Sequence, residues 1–111
     1  MASIFTKIIN NELPSEKVFE NERIIAIKDI HPVASVHLLI ISKKEIKELQ
    51  SVKPEDKDLV FEMIQVAQQL AKEFGIADGY RLLTNNGPTA GQTIFHLHFH
   101  LIGGRVLGAL G

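Results

Sequence analysis

The segment His96-Leu97-His98-Phe99-His100-Leu101-Ile102 limits what this chain can become more than any other, because three histidines stand at alternate positions with apolar residues between them. Successive side chains of an extended strand point to opposite faces. His96, His98 and His100 are therefore expected on one face, and Leu97, Phe99 and Leu101 on the other. Same-face neighbours are roughly 7 Å apart along a strand, which lets three imidazoles act on one phosphate-sized or metal-sized target. Three of the chain's five histidines sit here. One face reads as chemistry and the other as core.

The apolar face needs a layer to pack against, and the chain supplies one. Pro54 is a good first helical residue, with Glu55 and Asp56 placed to complement the helix dipole. Leu59, Met63, Val66 or Ala67, Leu70 and Phe74 then recur every three to four residues, and Gly75 is a C-terminal stop. Leu97 and Phe99 should meet Leu59, Met63, Leu70 or Phe74 from this helix. Upstream, Ile4, Phe5, Ile8 and Ile9 fall at helical spacing, ended by Asn10-Asn11 and Pro14. Val18-Phe19 and Arg23 to Lys28 read as two strands joined by a turn at Asn21-Glu22, an antiparallel hairpin. Pro32 breaks the pattern after Asp29. His37 to Ile41 is a continuous apolar run of the kind found in a central strand. Ile46 with Leu49 suggests one helical turn, Tyr80 to Thr84 a fourth strand, Asn85 to Thr93 a polar loop, and Ile94 or His96 to Ile102 the fifth strand. Strands, one long helix and strands again predict a single α+β domain over 1–111, with a mostly antiparallel five-stranded sheet, the long helix on one face and a short N-terminal helix.

Composition removes several function classes. With 45% apolar and 23% charged residues the chain is of globular type. A net charge of -1 gives no generic surface for a polyanion, so no nucleic-acid partner is expected and any phosphate recognition is local. No cysteine is present, which excludes disulfides and thiolate zinc sites. No stretch has the length or character of a signal peptide or a membrane span, so a cytoplasmic location with no membrane partner is expected.

Taken on their residues alone, the histidines allow three readings. One is an exposed strand face that carries histidine without using it. Another is a metal site, with His37 adding a fourth ligand from a second strand. The third is nucleophilic catalysis at phosphorus, in which an imidazole with one nitrogen held as a donor presents the other for attack.

Beyond periodicity, the triad strand with Gly91-Gln92-Thr93 before it and Gly103-Gly104-Arg105 after it resembles the signature of the histidine-triad superfamily. Ile4 to Ile9, Ala26 to Pro32, His37 to Lys44 and Gly79 to Asn85 are similar to its nucleotide-binding phosphoramidase branch. The resemblance covers nearly the whole chain. It implies a homodimeric hydrolase that needs no cofactor and cleaves the P–N bond of purine nucleoside 5′-phosphoramidates, including AMP joined to lysine. On that resemblance His98 is the nucleophile that becomes nucleotidylated, His100 contacts the α-phosphate, and His96 supports the nucleophile from behind with His37 beside it. Asp29 matches the ribose-binding carboxylate. Ile4, Phe5, Ile8, Leu13, Ile30 and Leu39 match the apolar positions around the base, and Asn85, Gly91, Gln92 and Thr93 the phosphate-side loop. Thr93, with His100, is expected to pass a proton to the leaving amine. Dinucleoside polyphosphate hydrolysis, as in another branch of the superfamily, and a zinc-binding or non-catalytic nucleotide-sensing role are the alternatives. The short aliphatic tail Val106 to Gly111 departs from members whose tail carries tryptophan.

Overall fold

The computed structural model describes residues 3–110. A short helix α1 (Ile4–Ile9) opens the chain, started by Ser3, whose Oγ accepts the Thr6 N–H at 3.1 Å. A side-chain oxygen at this position satisfies one of the amide donors that a helix start leaves free. Strands β1 (Lys17–Glu20) and β2 (Ile24–Lys28) form the expected hairpin. Its turn is closed by Asn21 Oδ1, which accepts the N–H groups of Arg23 and Ile24. Strand β3 (Val36–Ser42), the long helix α2 (Lys57–Glu73), β4 (Tyr80–Leu83) and β5 (His98–Gly103) complete the domain.

The sheet has five strands in the order β1-β2-β3-β5-β4, and every neighbouring pair is antiparallel. Its two faces hold two separate cores. On one, Ile24, Ala26, Leu38, Ile40 and Leu101 meet Leu59, Met63 and Leu70 of α2, with Leu97 buried among them and Phe99 packed against the edge. This is the contact expected from the alternation of the triad strand. On the other face Ile25, Ile27, Leu39 and Ile41 meet Phe5 and Ile8 of α1. Burying an aliphatic side chain of this size contributes on the order of 2 kcal/mol, so α2 is held by its stripe and α1 largely by two residues.

Several boundaries differ from the expectation. The fifth strand begins at His98, not at Ile94 or His96. The backbone of Leu97 is already engaged elsewhere: its N–H donates to Ile46 O at 2.6 Å and its C=O accepts from Ser42 N–H. Pro54–Asp56 forms a 3-10 turn ahead of α2, stabilised by the Asp56 carboxylate accepting Lys53 N–H at 3.0 Å. The turn expected at Ile46 to Leu49 lies at Leu49–Ser51, while Ile46 is buried in the main core.

Gly103 ends β5 where no side chain fits. A Cβ there would stand 2.8 Å from Ile76 Cδ1 and 3.2 Å from the Gly79 carbonyl oxygen. Gly103→Val is expected to cost about 2 kcal/mol by overpacking. A urea midpoint unchanged from wild type would refute it.

Candidate active site

The β3–β5 pairing aligns Leu39 with His100 and Ile41 with His98. These pairs share the face covered by α1, and the Phe5 ring stands edge-on to His98 at 4.9 Å and to His96 at 6.0 Å. His96, ahead of the strand, is 2% exposed and has both nitrogens occupied. Its Nε2–H donates to Ser42 O at 2.6 Å, and its Nδ1 lies 3.0 Å from Ser3 Oγ. The triad is therefore not three equivalent rings in a row. His98 and His100 stand at the open face, and His96 lies sealed behind them.

Hydrogen-bond directions fix the state of each ring. His98 Nδ1 is 2.7 Å from the His96 carbonyl oxygen, which can only accept, so Nδ1 carries the proton. In neutral His98 the lone pair is then on Nε2. Burial pushes the His98 pKa below the ordinary 6.5, and it does so against the opposing pull of the bond to the His96 carbonyl. The ring is neutral at pH 7. On the other side, Val33 N–H donates to His37 Nδ1 at 3.2 Å. His37 therefore holds its proton on Nε2, 2.9 Å from His100 Nδ1 and 3.4 Å from Asp29 Oδ2. Donation to His100 Nδ1 leaves His100 with Nε2–H. Burial, helped by His98 and His37 and opposed by Asp29, pushes the His100 pKa down to about 4. Burial lowers His37 as well, against the attraction of Asp29.

A nucleophilic nitrogen on His98 and a donor nitrogen on His100 thus stand side by side, their ring centroids 5.2 Å apart. This is the arrangement needed to attack a phosphoryl group while bonding one of its oxygens. Asp29, His37 and His100 also offer ligand atoms within 4.8 Å of one another, and among the described residues they are the group that could hold a metal ion. The His37–His100 hydrogen bond and the 3.4 Å contact of Asp29 with His37 give the same closeness. The four-histidine set does not converge, because both nitrogens of His96 are taken, Nε2 by Ser42 O and Nδ1 by Ser3 Oγ.

His37 was expected beside His96 and the nucleophile. It lies instead against His100, because β3 pairs Leu39 with His100 and puts His37 one diagonal step away. Phe5, Ile8 and Leu39 are buried in the smaller core, with Leu13 partly buried against it. Ile4 is 48% and Ile30 85% exposed. Gln92 is buried, and its side chain bonds only backbone: Oε1 accepts Gly87 N–H, and Nε2 donates to Lys47 O and Ile94 O. It shapes the loop before β5. In that loop Gly91 is left-handed, and Asn85 Nδ2 lies 3.7 Å from where its Cβ would be. Thr93 is exposed in the same loop. Sequence reasoning missed Ser3, the Val33 amide and the Ser42 carbonyl. Ser3 before an apolar helical run is readable as a cap, but its reach to His96 crosses most of the chain.

Residues 10–107 match the HIT domain model. The chain is 54% identical over 108 residues to a HIT-like protein of Chlamydia pneumoniae, covering 97% of this chain and 98% of that protein. Among solved structures, a HIT family hydrolase from Clostridium thermocellum superposes with a TM-score of 0.93 at 47% identity, covering 97% of this chain and 95% of that one. A histidine triad nucleotide-binding protein from Candida albicans gives 0.83 at 32% identity, covering 99% and 85%. The chain therefore belongs to the HIT family.

Proposed function

We propose that this protein hydrolyses the P–N bond of purine nucleoside 5′-phosphoramidates, releasing AMP or its purine analogue and an amine. The observation that carries the reading is the His98 ring, held neutral with its proton on Nδ1 and its Nε2 lone pair beside a donor on His100. His98 Nε2 attacks phosphorus, the P–N bond breaks, and the nitrogen leaves as the amine after taking a proton. Water then attacks the nucleotidyl-histidine and restores the ring. The anionic phosphoramidate raises the proton affinity of His100 as it binds, which makes that ring the acid for the departing nitrogen. Thr93, exposed in the loop before β5, relays the proton.

Recognition of the nucleoside falls to Asp29 and the apolar residues around it. A carboxylate accepts both ribose hydroxyls at once. Phe5, Ile8 and Leu39 form the floor below the base, and the exposed Ile30 and Ile4 give apolar surface for the base to cover. Asn85 and Gly91 take the phosphate side, on the loop that Gln92 braces. No cofactor enters this scheme. A homodimer is part of the reading, supported by the open outer edge of β4 and by Phe61, 60% exposed on α2.

A fluorogenic adenosine phosphoramidate, assayed with and without chelator, tests the activity. Chelator-independent turnover is expected. Loss to chelator would establish the metal reading, AMP binding without turnover a nucleotide sensor, and faster cleavage of diadenosine polyphosphates the other hydrolase branch. Asp29→Asn separates the ribose role from the histidine network. It is expected to lower kcat/KM for ribonucleoside substrates by about tenfold while leaving 2′-deoxy substrates near their wild-type value. Equal losses on both would assign Asp29 to His37 and His100 alone.

A further inference from the structure

The first triad histidine is held from a place that the chemistry above does not use. We propose that Ser3 is a positioning residue for the nucleophile: its hydroxyl donates to Nδ1 of the Nε2–H ring that Ser42 O selects, holds His96 in place and so steadies the carbonyl that orients the His98 ring. The inference rests on the phosphoramidase reading for its kinetic consequence, but its structural claim stands by itself.

Ser42 O only accepts, so the 2.6 Å bond places a proton on His96 Nε2. In the neutral ring Nδ1 then needs a donor, and Ser3 Oγ is the group within reach, at 3.0 Å. The Ser3 oxygen accepts the Thr6 N–H at 3.1 Å, which leaves its hydroxyl proton free to point at His96. Thr6 Oγ1 lies 3.3 Å from Ser3 Oγ, but its own proton goes to Glu45 Oε1 at 2.9 Å. Every proton in the chain from Glu45 to Ser42 therefore has one direction. His96 is 2% exposed, so a misdirected bond there has little solvent to repair it.

Two consequences meet at His98. The His96 carbonyl takes the His98 Nδ1–H at 2.7 Å, so a rotation of residue 96 moves the acceptor that selects the nucleophilic tautomer. The same serine starts the helix whose Phe5 ring packs on His98 at 4.9 Å. One hydroxyl thus ties the helix and the strand that frame the nucleophile. A cavity of about 210 Å³ borders Ser3, Thr6, Glu45, Lys47, Phe95 and His96. Water from it can reach Nδ1 when the hydroxyl is removed, but it brings no fixed direction.

Capping and positioning are separable, because aspartate caps a helix as well as serine yet can only accept. In Ser3→Asp, an acceptor facing Nδ1 is satisfied by a second proton on the ring, so His96 becomes an imidazolium. At pH 7 the ¹⁵N spectrum of the full-length protein should show His96 protonated at both nitrogens. Single-turnover formation of nucleotidyl-His98 should slow by about tenfold with little change in KM, and the melting temperature should stay near wild type. Ser3→Thr keeps the hydroxyl and should restore the neutral tautomer and the rate. Ser3→Ala, the second probe, removes the donor to Nδ1 and should keep the Nε2–H tautomer held by Ser42 O, while the His96 Nδ1 ¹⁵N shift moves and nucleotidyl transfer slows. A neutral Nε2–H His96 in Ser3→Asp overturns the proposal, as does an unmoved His96 Nδ1 shift in Ser3→Ala or nucleotidyl transfer at the wild-type rate in either variant. Should the wild type itself transfer no nucleotide, the proposed function fails, and the ¹⁵N tautomers still decide the role of Ser3.

Discussion

His98→Ala is expected to lower phosphoramidate turnover by about ten-thousandfold or more and to leave no covalent nucleotide on the protein. The magnitude follows from what is removed. In wild type one nitrogen of His98 is committed to the His96 carbonyl and the other is bare, so the substitution deletes the only bond-forming atom in the scheme. No neighbour can take its place. His96 has both nitrogens occupied, and His100 presents a proton towards the site because His37 donates to its Nδ1. The fold should survive, since the two cores are built from other side chains and the ring's aromatic neighbours are Phe5 and His100. The measurement is rapid-quench intact mass with adenosine phosphoramidate. Wild type should show a nucleotidyl adduct that decays to free protein, and the variant should show none while still binding AMP. An adduct of equal yield on His98→Ala would move the nucleophile elsewhere.

What could be read from the sequence follows the reach of local periodicity. The stripe on α2 predicted both the helix and its partners Leu97 and Phe99, because a 3.6-residue period on one side and a two-residue period on the other leave one way to close the core. The hairpin was readable at Asn21, whose side chain satisfies two backbone amides of the turn. The same alternation put His96 on the right face, beside Phe5, but inside a strand that begins only at His98. It assumes that the strand continues, and Leu97 is diverted to Ile46 by a contact far away in the chain. His37 is the second case. Its separation from His100 is set by the register of β3 on β5, which a one-residue slip would alter and which no local pattern encodes. The tautomers depended on Val33 N–H and two carbonyl groups, backbone atoms that carry no residue identity. Sequence could therefore name the histidines but could not assign their protons.

Acidification should remove activity and stability together, and the sign of both follows from the same buried rings. The pKa values of His37, His98 and His100 all lie below the ordinary 6.5, with burial the largest cause in each case. At pH 7 these rings are neutral in the folded protein. The acid limb of the single-turnover rate should fall below pH 6.5, because a proton on His98 Nε2 occupies the lone pair that attacks phosphorus. Stability moves in the same direction. The unfolded chain takes up these protons first as the pH drops through 6.5, so the folded state loses free energy from there until His100 itself titrates at about 4. For His100 that interval corresponds to at most about 3 kcal/mol, reduced by its partial exposure to solvent, with further losses from His37 and His98. Urea midpoints measured between pH 7 and pH 4 should decline steadily, and a His100→Asn variant should decline less steeply. A midpoint that holds constant to pH 4 in wild type would mean that the imidazoles accept protons without leaving their bonds. Burial would then not be what keeps these rings neutral in the resting site.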